Sequence, residues 1–122
     1  MKHEESHIQR NCVKWFRLAY PKLSRLLFAV PNGGKRGIRE AAIMKAEGVV
    51  AGVADLLLLI PKGQHNALAI EMKTEKGKQN ENQKLWQNDF EQMGGKYVVC
   101  RCFDDFRNEI ERYLESAWIK ET

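Results

Sequence analysis

The sequence predicts an α/β fold, a mixed β-sheet flanked by helices, and three observations carry that expectation. Short apolar runs at residues 26–30 (LLFAV), 55–60 (DLLLLI) and 97–102 (YVVCRC) have the length of strands rather than core helices. Between and around them lie segments whose apolar residues recur three and four apart, the helical period. Pro21, Pro31, Pro61 and glycine pairs at residues 33–34 and 94–95 punctuate the boundaries. Strands interleaved with helices bury their apolar faces best as a sheet covered by helices.

Each element follows from local pattern. Over residues 3–20, Ile8, Cys12, Phe16, Ala19 and Tyr20 form one apolar stripe, and Pro21 forbids continuation. Residues 26–30 read as a buried strand leaving into the Pro31-Asn32-Gly33-Gly34 loop. Residues 38–47 are strong helix formers stopped by Gly48. The run at 55–60, closed by Pro61, is a central strand with both faces covered. Residues 62–66 form a turn, and 67–73 (ALAIEMK) the next strand. The polar stretch 74–80 leads into a helix over about residues 80–93, ended by Gly94-Gly95. A strand at 97–102 follows, then a last helix capped by Asp104, with Phe106, Ile110, Tyr113, Leu114 and Ala117 on its apolar side.

Composition narrows the function classes. The chain has 122 residues, so one domain over 1–122 with one core is expected. Charged residues at 30% and hydrophobic residues at 43% exclude general disorder. No apolar run approaches the roughly 20 residues that span a bilayer, and acidic residues stand where a signal peptide is apolar. A cytoplasmic protein without a membrane partner is expected. The three cysteines, Cys12, Cys100 and Cys102, lack zinc-site spacing and read as reduced structural thiols. A net charge of +4 suits a polyanionic partner, and the cations concentrate at residues 34–45, where four stand against one acid.

The chemistry gathers on two strands. Glu71 and Lys73 are two apart, so they share a face, while Leu68, Ile70 and Met72 share the other. A hairpin symmetric about Gln64 sets Asp55 across from Lys73, each nine residues from it. Two carboxylates held close repel each other unless a cation intervenes, which points to a Mg²⁺ site with oxygen ligands. A divalent metal polarises a phosphoryl oxygen and acidifies water, and an adjacent ammonium offsets developing charge: the requirements of phosphodiester hydrolysis. A lone Glu-x-Lys is an ordinary surface salt bridge in most proteins. An aspartate opening a run of five apolar residues is costly to leave unpaired, and that tips the reading toward function.

The run GVVAGVADLLLL (48–59), then IEMK (70–73), then GKQNENQKLWQ (77–87) resembles the virus-type replication-repair nuclease domain, a branch of the PD-(D/E)xK nuclease superfamily with stand-alone phage and bacterial members. The resemblance spans nearly the whole chain and departs at Ala54, where proline is common before the aspartate. It implies a restriction-endonuclease-like core and a Mg²⁺- or Mn²⁺-dependent endonuclease acting on DNA. It implies Asp55, Glu71 and the Met72 carbonyl as metal ligands, Lys73 as the catalytic lysine, Gln83 beside the site, and Glu5 completing the metal shell. For Glu5 the adjacent Glu4 and a plain helix-dipole role are competing readings. For Gln83 the competing reading is a surface polar residue. Relatives that act as dimers resemble Holliday junction resolvases, so a homodimer and branched DNA are the implied assembly and substrate.

The segment Asn32, Gly33, Gly34, Lys35, Arg36, with Arg39 beyond it, is expected to contact nucleic-acid phosphates through backbone N–H groups and cationic side chains. It is not a Walker loop, because the Lys-Ser/Thr pair is missing. Trp15, Trp86 and Trp118 read as core or interface residues, and His3, His7 and His65 lack ligand spacing, though His7 lies near Glu5. Tyr113, Leu114, Ala117, Trp118 and Ile119 offer an apolar patch for a dimer. A non-catalytic nucleic-acid-binding module and an ordinary interaction domain are the competing functions. An acidic pair that repels phosphate argues against the former.

Overall fold

Four strands form one sheet whose spatial order is also the chain order: β1 (Leu27–Ala29), β2 (Leu56–Leu58), β3 (Leu68–Met72) and β4 (Lys96–Cys100). β2 runs antiparallel to both β1 and β3, and β4 runs parallel to β3. The computed structural model describes residues 3–31 and 37–115. A parallel pair needs a long crossover, and α3 (Glu81–Gln92) supplies it. The other helices are α1 (His3–Ala19), α2 (Ile38–Ala46) and α4 (Phe103–Glu115).

The sheet is covered on both faces, as expected for a mixed α/β fold. On one face Leu27, Leu56, Leu58, Leu68, Ile70 and Met72 meet Cys12 and Phe16 of α1 and Phe106, Ile110 and Tyr113 of α4 in the main core. On the other, Ala54, Ala69 and Tyr97 form a smaller cluster against Trp86 and Phe90 of α3. Every residue of β3 is buried. Burial pushes the Cys12 thiol up to about 12 and raises Cys100 as well, so both stay protonated and inert. Trp15 packs edge-on against Tyr20, Phe103 and Phe106, and Trp86 stacks on Phe90. Among the described residues no helix is long and apolar enough to cross a membrane.

The structure departs from the expected pattern at four points. A 3-10 helix at Pro21–Leu26 joins α1 to β1, with Ser24 Oγ donating to the Pro21 carbonyl at 3.0 Å. The hairpin is not symmetric about Gln64. Lys62 pairs with His65 across a turn with Gly63 at φ 59°, but Leu58 pairs with Leu68, so residues 59–61 face only 66–67. The turn, centred between Gly63 and Gln64, and that extra residue each shift the register by one, which sets Asp55 opposite Glu71 rather than Lys73, extending the pairing of Leu56 with Ile70. The Ile60 carbonyl in this irregular stretch accepts from Tyr113 Oη at 2.6 Å. The last helix starts at Phe103, so Asp104 lies in its first turn instead of capping it. Finally, Tyr113 is buried and Leu114 packs against the main core, which removes both from the expected dimer patch; Ala117, Trp118 and Ile119 lie outside the described residues.

Candidate active site

The face of β3 that meets α3 changes character along its length. Ala69 is packed in the small cluster, Glu71 is 1% exposed, and Lys73, just past the strand, is partly exposed. A carboxylate so deeply buried must be fully hydrogen-bonded. Tyr97 Oη donates to Glu71 Oε1 at 3.1 Å, Gln83 Nε2 donates to Oε2 at 3.0 Å, and Lys73 Nζ stands 3.6 Å from Oε2. Gln79 Nε2 donates to Tyr97 Oη at 3.2 Å, which occupies its lone pair and leaves its single proton for Glu71.

Asp55 enters from the end of β2. Its Oδ2 accepts from the Met72 backbone N–H at 2.7 Å, which pins the carboxylate beside the ladder. The Asp55 and Glu71 carboxyls line the same cleft, and each feels the other. Burial, then the Asp55 charge, pushes Glu71 up to about 7, while Lys73 opposes the shift. Burial also raises Asp55, against the Met72 N–H. Burial and the Glu71 carboxylate push the Tyr97 hydroxyl up in turn. Both shifts disfavour two negative charges here, and a cation beside the pair would relieve them.

The N-terminus of α3 is built into this arrangement. Asn80 caps the helix through Oδ1, which accepts from Gln83 N at 2.9 Å, and Gln83 Oε1 accepts from Asn80 N at 2.9 Å. This capping box uses the oxygen of the Gln83 amide and leaves its nitrogen for Glu71. On the approach to Asp55, Gly52 has φ 91°, and a Cβ there would strike the Asn82 backbone, so only glycine lets this loop pass against the helix start. Arg101 closes the far side, its guanidinium donating to the carbonyls of Thr74 and Gly77 at 2.7 Å each, which holds the segment leaving Lys73.

One cleft is lined by Glu5, Gln9, Asp55, Glu71, Lys73 and Gln83. Glu5 is half-buried in that wall, whereas Glu4 and His7 are exposed and do not line it. Met72 directs its side chain into the main core, so any ligand from it is its backbone carbonyl. Arg39 lies on exposed α2 and does not line the cleft; Asn32, Gly33, Gly34, Lys35 and Arg36 lie outside the described residues. Tyr97, Gln79 and Asn80 were not foreseen from sequence. The Asn80-x-x-Gln83 spacing is a readable capping box, but Tyr97 needed the parallel register that pairs it with Ala69.

Among the described residues no three His, Cys, Asp or Glu stand together as a ready cage. Two converging carboxylates fit a hard divalent cation that keeps part of its shell for water and substrate, as Mg²⁺ does.

The mixed sheet flanked by helices, with an acidic pair and a lysine at the strand ends, is the restriction-endonuclease-like core of the PD-(D/E)xK-related superfamily. Within it the profile of the VRR-NUC domain matches residues 3–104, and the chain belongs to that family. A solved structure described as "VRR_NUC domain protein" superposes with a TM-score of 0.84 at 24% identity, covering 98% of this chain and 95% of that one. At that identity the likeness establishes the shared fold. The search of curated proteins finds no match.

Proposed function

We propose that the protein is a metal-dependent nuclease that hydrolyses DNA phosphodiester bonds at the cleft formed by Asp55, Glu71 and Lys73. The observation that supports this most is the pair of buried Glu71 and partly buried Asp55, Glu71 held by Tyr97 and Gln83 and Asp55 by the Met72 N–H, lining a cleft with one ammonium beside it. A structural salt bridge needs one carboxylate; a second one against it raises the cost and makes sense only with a cation between them.

Asp55, Glu71 and the Met72 carbonyl would hold the cation, with Glu5 across the cleft completing its surroundings. Bound there, Mg²⁺ or Mn²⁺ would supply Lewis-acid polarisation of a phosphoryl oxygen and a more acidic water. Lys73 offsets charge building on the phosphoryl group and orients the attacking water. Gln83 and Tyr97 hold Glu71 in one rotamer with a lone pair free toward the cleft.

Branched DNA held by a homodimer is part of this proposal. The surface that supports a dimer is now α2 and the turn after it, where Ile38 is 92% exposed and Ile43, Val49 and Val50 are about half exposed. Titrating Mn²⁺ into wild type, Asp55→Asn and Glu71→Gln by calorimetry, alongside cleavage of linear and branched DNA, tests the reading. Metal binding lost in both variants together with cleavage is the expected result. Wild type that takes up no metal, or variants that cleave normally, overturns it. Sedimentation of the same wild-type preparation decides the dimer.

A further inference from the structure

We propose that a second groove, along α1, carries the DNA backbone that flanks the phosphate in the cleft. This rests on the nuclease reading above, and it assigns residues that the sequence alone did not single out.

α1 divides its surface. Ile8, Cys12, Trp15 and Phe16 face the main core, while Arg10, Lys14 and Arg17, spaced four and three apart, form one exposed stripe. Between that stripe and edge strand β1 runs a groove whose walls include Arg10, Lys14, Arg17, Val13, Phe28 and Ala29. Among the described residues no acidic side chain lines it and none of the three cations forms an ion pair. A solvated helix face usually mixes signs. Here the acids of α1, Glu4 and Glu5, are confined to its first turn.

The groove opens onto the cleft. Gln9 and Ala29 line both, so the two adjoin along α1 and β1. At this seam Gln9 Oε1 is buried with no hydrogen-bond partner among the described residues. The stripe is about 10 Å long at 1.5 Å per residue, close to the axial rise of about three phosphates of one DNA strand. Three cations for three phosphates, continuous with a phosphodiester-cleaving site, fit the flank of the strand being cut.

The test is binding of a fluorescein-labelled DNA duplex in EDTA, where nothing is cleaved, followed by anisotropy over a salt series. For R10A/K14A/R17A we expect affinity at low salt to fall at least about tenfold and the slope of log K against log salt to fall by about 2.7, at about 0.9 per phosphate. R10Q and R17Q singly should each lower the slope by about 0.9, which keeps the test valid if the triple variant folds poorly. R10K/R17K and the distant pair K62A/K96A should keep the wild-type slope. If wild type binds DNA and the R10Q, R17Q and triple variants keep its slope, the groove assignment is overturned and the nuclease reading stands. Wild type that binds no DNA overturns both.

Discussion

The two faces of β3 are made by alternate residues of one five-residue strand, yet they serve opposite ends. Leu68, Ile70 and Met72 face α1 and α4 in a continuous apolar core, where each side chain lowers the free energy of the fold. Ala69, Glu71 and then Lys73 face α3, and Glu71 is as buried as its neighbours while carrying a carboxyl whose ionisation burial resists. The difference teaches that depth alone does not mark a core residue. On the first face burial is a source of stability; on the second it holds a carboxyl where its charge is disfavoured, at the expense of stability.

Substitutions on the α3 face should therefore remove activity and spare the fold. Lys73→Ala should lower cleavage about 1,000-fold, while Mn²⁺ affinity by calorimetry stays near wild type, because an ammonium is not a ligand. A cleavage rate within about tenfold of wild type would take Lys73 out of the chemistry. Substitutions on the opposite face should do the reverse. Ile70→Ala should cost about 2–5 kcal/mol in urea denaturation, yet the folded fraction should cleave at nearly the wild-type rate. A large rate loss per folded molecule would show that the two faces are not separable.

Charge sharpens the contrast. Glu71 lies at about 7 in the folded protein, above the ordinary 4.5, so the native state holds its proton more tightly than the unfolded chain. The stability this contributes is complete below about 4.5 and is lost as pH rises through about 7. Melting of the metal-free protein should thus fall across that window, Glu71→Gln should flatten the dependence, and added Mn²⁺ should restore wild type at the upper end by binding the native state alone. The smallest effect should come from Tyr97→Phe, which takes one donor from Glu71 and leaves Gln79 Nε2 with its hydrogen bond to Gln87 Oε1. Cleavage should drop about tenfold, and a rate indistinguishable from wild type would make Tyr97 packing only.

The same contrast explains what the sequence made legible. The strands, the helices and the trio Asp55, Glu71 and Lys73 follow from period and residue type, because a strand's two-residue alternation is written directly in the chain. The hairpin register did not follow, since neither the turn centre between Gly63 and Gln64 nor the extra residue among 59–61 leaves a compositional mark, and together they moved Asp55 from opposite Lys73 to opposite Glu71. Both placements put Asp55 on the same face, which is why the trio survived the error. The 3-10 helix at Pro21–Leu26 has no helical period to read. Tyr97 and Gln79 join the site through strand pairing and a side-chain chain that bridge distant segments. Arg10, Lys14 and Arg17 share a helix face by spacing alone, and the groove beside them exists only once β1 folds against α1.

Gln83 closes the cap of α3 with one end of its amide and holds Glu71 with the other. The first turn of a helix is where fraying begins, so here the breathing of a secondary-structure end and the loosening of a carboxylate are one motion. Solvent exchange at the Gln83 backbone amide, which is released only when Asn80 lets go, becomes a clock for the site: the slower it ticks, the longer Glu71 stays aimed.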